Sequence, residues 1–225
     1  MSDQAKDLMI LSLPNTGSTW FAECVAKGYE GKYFYEYFNP LRNPDHEEML
    51  ARSFGCETVA SYANIATPGS ADIDTEIAKT WGQDGYHFTK EVFSPLKLAT
   101  FAKRFHCVVF FRDESLVFPP SRLRIISFYE HAWWAIQSSP WFDVRLRANN
   151  AWERAREAFT VLRSRMAVDA GRLGVQVLHF EHLFGQRQDV EAVIKKAFGG
   201  LVDAEAVALE IEKTRRMPKA DRVPT

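Results

Sequence analysis

The chain has 225 residues, 46% of them hydrophobic, enough to bury the core of one large domain. Its 28 Lys and Arg against 29 Asp and Glu leave a formal net charge of -1. That balance excludes a global field attracting nucleic acid or anionic lipid, while leaving room for a local basic pocket.

The start, MSDQAKD, is polar, and only about six apolar residues follow before Pro14, too few for a signal-peptide core or a membrane span. A soluble cytoplasmic protein is the expectation, with neither membrane nor nucleic acid as partner. Cys24, Cys56 and Cys107 are odd in number and lie in apolar surroundings, so they read as buried free thiols of a reducing compartment.

Along the chain, short β-rich runs alternate with longer helical patterns. Strands are expected at Leu8–Leu13, Lys32–Phe38, Tyr86–Glu91, Cys107–Arg112 and Val175–Phe180. The first, fourth and fifth are continuously apolar, as befits central parallel strands covered on both faces. Helices are expected over Ser18–Gly28, Ile73–Trp81, Pro95–Phe105, Arg122–Ile136, Val144–Asp169, Asp189–Phe198 and Ala204–Lys213. This alternation predicts an α/β fold: a three-layer domain with a central, mostly parallel sheet flanked by helices. No repeat or linker divides the chain, so a single domain over 1–225 is expected, its polar tail from about residue 214 loosely held.

The first strand runs into Pro14-Asn15-Thr16-Gly17-Ser18-Thr19-Trp20 and then a helix. In open α/β sheets ligands bind beyond the carboxyl ends of the strands, where a helix start offers free N–H groups to an anion. Gly17 allows close backbone approach, and Thr16, Ser18 and Thr19 supply hydroxyls. An ordinary N-capped helix would use the same residue types, and the stretch alone leaves both readings open.

These seven residues resemble the 5'-phosphosulfate loop of sulfotransferases. The segment "CVVFFRDESLVFPPSRLRIISFYEHAWW" resembles the family's buried strand ending in Arg, followed by a helix carrying Ser. Phe180-Glu181-His182-Leu183 is similar to its late strand-helix element. The resemblance spans about residues 8–199. It implies a P-loop nucleotide-binding fold and 3'-phosphoadenosine 5'-phosphosulfate (PAPS) as donor, with 3',5'-ADP (PAP) as product and no metal. It further implies that Arg112, with Ser121 or Ser127, meets the 3'-phosphate. The family's Ser follows its Arg by about eight residues. Ser121 and Ser127 lie nine and fifteen beyond Arg112, and both are retained. Where the family carries Lys or Arg in its loop, this chain has Asn15, and the C-terminal Arg-Lys-Gly loop of cytosolic members is missing. The shorter bacterial, phage-like and glycan-modifying branches fit better. Arg215 and Arg216 are solvated tail charges or contacts of the 3'-phosphate.

Sulfuryl transfer needs a base for the acceptor's proton. Glu36, in "YFYEYFNP", leads, because bacterial and Golgi glycan members carry a carboxylate there beside aromatic residues. Desolvation by such neighbours would make it more basic. Glu91 is its rival. Lys90 matches approximately a family Lys on the same strand, and His87 precedes it, on the wrong side for direct transfer of the family's His. His179 and His182 read as strand-end and loop residues. The acceptor is a small molecule or sugar. Trp81, Phe93, Trp133, Trp134 and Trp141 either line its pocket or belong to the core. Two other readings stand beside this one. One is a P-loop small-molecule kinase, which would need a Gly-Lys-Ser/Thr loop. The other is a catalytically silent nucleotide-binding homologue, motivated by Asn15.

Overall fold

The computed structural model describes residues 7–36, 86–92, 95–118 and 123–215. Strand β1 (Leu8–Ser12) is buried at every position. Its alternate side chains enter two separate cores, Leu8 and Ile10 on one face and Met9 and Leu11 on the other. That is why the run is apolar throughout rather than alternating.

Strand β1 pairs in parallel with β3 (His87–Val92) on one side and β4 (His106–Phe111) on the other. Strand β2 (Lys32–Tyr35) lies outside β3, and β5 (Gln176–His179) lies outside β4. The order β2-β3-β1-β4-β5 is wholly parallel. On one face, α2 (Leu98–Phe101), α4 (Leu123–Ser138) and α5 (Ala151–Leu173) pack Phe101, Tyr129, Phe159 and Leu162 over Met9, Leu11, Val109 and Phe111. On the other, α1 (Ser18–Ala26), α6 (Arg187–Phe198) and α7 (Ala204–Arg215) set Phe21, Ile194, Phe198 and Ile211 over Leu8, Ile10, Val108 and Phe110. Phe21 stacks on Phe110 with ring centroids 4.6 Å apart. The fold is α/β, with a parallel sheet between two helical layers.

Two helices differ from expectation. The long one begins at Ala151, not Val144, because Asn150 caps it by accepting from Glu153 N at 2.9 Å. Residues before the cap are held instead by the Glu157 carboxylate, which accepts from Arg147 N and Ala148 N. The stretch expected as Pro95–Phe105 is a 3-10 turn, Pro95–Lys97, followed by the single turn of α2. A short α3 (Glu114–Val117) arises where none was expected, capped by Asp113, which accepts from Ser115 N. The expected helix Ile73–Trp81, the end of the expected strand at Phe38, and Cys56, Trp81, Phe93, Ser121 and Arg216 lie outside the described residues.

Cys24 and Cys107 are buried free thiols. No helix among the described residues is long and apolar enough to cross a membrane. The far end of α1 crosses the start of α7 closely. Asp203 N donates to Gly28 O at 2.8 Å, and a Cβ on Gly28 would lie 2.5 Å from Asp203 O.

Candidate functional site

Beyond Ser12 the chain turns through Leu13–Gly17 at the carboxyl edge of the sheet, then enters α1. Hydrogen bonds from three directions fix this turn. Thr16 Oγ1 donates to Leu13 O at 2.9 Å, and Ser12 Oγ donates to Ser18 Oγ at 2.7 Å. From α4, the buried Tyr129 hydroxyl donates to Pro14 O at 2.9 Å. The Asn15 amide donates to Val117 O of α3. Asn15 (φ 62) and Gly17 (φ 83) both take left-handed backbone, which asparagine tolerates better than most residues and glycine adopts freely.

The N-cap of α1 is Gly17, which has no side chain with which to cap the helix. The hydroxyls of Thr16 and Ser18 are engaged with Leu13 O and Ser12 Oγ rather than with the first-turn N–H groups. The first-turn N–H groups of Ser18, Thr19 and Trp20, with the positive end of the helix dipole, are left for an anion.

Arg112 follows the last residue of β4. Its guanidinium carbon lies 4.3 Å from the centroid of the Phe180 ring. The same ring reaches the turn: a Cβ added to Gly17 would lie 3.0 Å from Phe180 Cε2. One aromatic ring therefore touches both the turn and the guanidinium. Trp20 meets Phe180 edge-on at 5.8 Å and stacks on Phe184 at 6.2 Å, while its indole N–H donates to Thr214 Oγ1 of α7 at 2.9 Å. Phe184 is half exposed, so this trio offers an apolar surface beside the turn and the Arg112 guanidinium. Sequence reasoning treated residues 180–183 as structural and missed Phe180 and Phe184. Their signal was a pair of aromatics four apart, straight after an apolar strand.

The helix partner of Arg112 is less direct. Ser127 is exposed on α4, and its carbonyl hydrogen-bonds the His131 ring. Among the described residues of α4, Tyr129 is the one that reaches the turn, through Pro14 O. Asp113, beside Arg112, spends its carboxylate on Ser115 N and Oγ, and the Ser115 hydroxyl holds it below the usual carboxylate range.

The base candidates separate clearly. Glu36 follows β2 with left-handed backbone (φ 47) and is 8% exposed. Its N–H donates to Lys90 O at 3.1 Å, and its carboxylate accepts from Lys90 Nζ at 2.5 Å. Lys90, on β3, is 2% exposed, with its ammonium 5.2 Å from the Tyr35 centroid. This cation favours the ionised carboxylate, an influence opposite to the desolvation expected from the aromatic neighbours. Glu91, 1% exposed, follows Lys90 and so points to the opposite face, where it accepts from Thr89 Oγ1 at 2.6 Å. His87 opens β3 at the edge away from the turn. Its N–H donates to Asp7 Oδ1, and its ring stacks on Phe34 at 5.5 Å. The sheet thus brings the turn and Arg112 together around Phe180, pairs Glu36 with Lys90, and leaves His87 apart.

No protein-family profile matches the chain, and no curated protein matches it. Among solved structures it is similar to the mouse sulfotransferase SULT7A1 complexed with PAP, at 12% identity and a TM-score of 0.44, over 97% of this chain and 70% of that one. At those values the likeness is one of coarse architecture, and the chemistry rests on the residues above.

Proposed function

We propose that this protein is a sulfotransferase that moves a sulfuryl group from PAPS to a hydroxyl or amine of a small-molecule or sugar acceptor. The observation that carries the reading is Phe180, which touches both the uncapped turn of α1 and the Arg112 guanidinium. A nucleotide with phosphate on both its 5' and 3' positions needs two cationic or N–H-bearing holders beside an apolar platform, and this arrangement supplies them. The helix start takes one phosphate through backbone N–H groups. Arg112 takes the other through its planar fork. The rings of Trp20 and Phe184 offer the base a stacking surface.

PAPS supplies the activated sulfuryl group. Glu36 receives the acceptor's proton as the acceptor oxygen or nitrogen bonds to sulfur. The bond from sulfur to the 5'-phosphate oxygen breaks, and its electron pair leaves with PAP. Pro14, Asn15, Thr16 and Gly17 shape the turn, while Ser18, Thr19 and Trp20 present its N–H groups. Asn15 stands where a loop cation would serve, and its amide is engaged with Val117 O. Lacking that charge lowers transition-state stabilisation by about 2–4 kcal/mol, so turnover is slow. The same observation favours a second reading, a nucleotide-binding protein without turnover.

Thermal denaturation with PAP tests both. Without Mg2+, PAP at 100 times its Kd is expected to stabilise the chain by about 2.7 kcal/mol, and Arg112→Ala to remove most of the shift. Transfer of labelled sulfate from PAPS to a panel of alcohols, sugars and amines then separates the enzyme from the silent binder. Stabilisation by ATP with Mg2+ in preference to PAP would overturn both in favour of a kinase.

A further inference from the structure

Resting on the sulfotransferase reading, we propose that Lys90 is a positioning residue that acts through Glu36, holding its carboxylate ionised and oriented to receive the acceptor's proton. The two residues are joined twice. The backbone bond from Glu36 N to Lys90 O carries the chain one step past β2, and the side chains meet at 2.5 Å between Nζ and Oε1. Both side chains are withdrawn from water, at 2% and 11% exposure. Burial of an ammonium beside a carboxylate is costly unless the two are paired and hydrogen-bonded, as they are here.

The surroundings favour a working pair over a purely structural one. Glu36 holds left-handed backbone without being glycine, a strain that clusters at functional sites. Tyr33, two strand positions below Tyr35, has a buried hydroxyl with no hydrogen-bond partner among the described residues, within electrostatic range of Glu36. Among the described residues, the titratable groups within electrostatic range of one member of the pair are Glu23 on α1 and Tyr33 on β2, with Tyr35 beside the Lys90 ammonium and Glu91 on the opposite face of β3. Glu23 is raised by burial, with Lys27 and Lys90 opposing, so Lys90 acts on Glu23 as well as on its partner Glu36. A carboxylate has about four lone-pair sites, so a bond from Lys90 Nζ to Oε1 does not by itself prevent the group from accepting a proton. When Glu36 takes that proton its charge is cancelled, and Lys90 remains as the local cation while negative charge develops on the leaving PAP.

Carbon-13 NMR of labelled glutamate side chains tests this in the full chain, with Glu36→Gln identifying the Glu36 signal. In Lys90→Met the Glu36 titration is expected to move upward by about one pH unit or more, a tenfold change in proton affinity. Lys90→Arg, which keeps the charge, is expected to hold it near the wild-type position. An unmoved titration in folded Lys90→Met overturns the proposal. If Lys90→Met does not fold, Lys90→Gln serves in its place, and there too an unmoved titration overturns it. Thermal stabilisation by PAP is read on the same samples. Stabilisation intact in all variants with the titration shifted supports the proposal. Stabilisation missing even in wild type overturns the proposed function and with it the role in proton transfer, whatever the titration does.

Discussion

At the scale of single residues, the turn after β1 depends on backbone angles that ordinary side chains resist. Gly17 has φ 83, and an added Cβ would lie 3.0 Å from Phe180. Gly17→Ala is expected to destabilise the chain by about 1–2 kcal/mol through left-handed strain, and to displace Phe180 from Arg112. Urea denaturation measures the first effect, and a weakened thermal shift with PAP measures the second. Asn15 shows what sequence could and could not convey at this scale. The lack of a loop cation is plain in the sequence. Its amide bond to Val117 O, across 102 positions of chain, is not, because only the fold brings α3 to the turn. The same limit applies to Lys90 and Glu36, 54 positions apart: each was a candidate for chemistry, and neither was recognisable as the partner of the other.

Elements were legible where their periodicity was strong. Strands β1 and β4 announced themselves as apolar runs because both faces are covered, whereas β5, expected from its apolar run to be central, is an edge strand, with Leu178 buried and Val177 38% exposed. The start of α5 was misread because Val144 and Leu146 continue an apolar spacing that helices also use. Leu146 is indeed buried, but in an irregular segment pinned by Glu157. The boundary is set by a local hydrogen bond, Asn150 to Glu153 N, rather than by hydrophobic pattern. Asn150→Ala should therefore cost about 1 kcal/mol of stability, read from the urea midpoint at unchanged slope, while Asn150→Asp should cost little. A loss no larger than that of a neighbouring surface substitution would show that α5 stands without its cap.

Over the whole molecule, fold class was readable from the alternation of elements, while strand order was not. Placing β1 between β3 and β4 depends on pairings remote in sequence, which no local pattern encodes. Stability against acid also belongs to this scale. Burial pushes the Glu157 carboxyl upward, but the Trp133 indole and the Arg147 and Ala148 N–H groups outweigh it, leaving the group below its ordinary value. A lowered folded value means stabilisation that is fully present above the unfolded carboxylate range, near about 4.3, and lost as pH falls through the folded value. Glu157→Gln is thus expected to unfold at lower urea than wild type at pH 7, with the gap closing in more acidic solution. An equal gap at both pH values would assign the loss to packing. The thiol of Cys24, pushed up to about 12 chiefly by burial, should remain unmodified by iodoacetamide at pH 8 until the chain unfolds.

The position of Phe180 carries an implication for how this site can change. Because the glycine bend and the guanidinium both approach one ring, a change to that ring reaches the two together. A bulkier or slimmer residue there would displace both the bend and the guanidinium in a single mutational step. On the proposed function, adaptation to a different nucleotide would have to begin at that shared fulcrum, with its two dependants following afterwards.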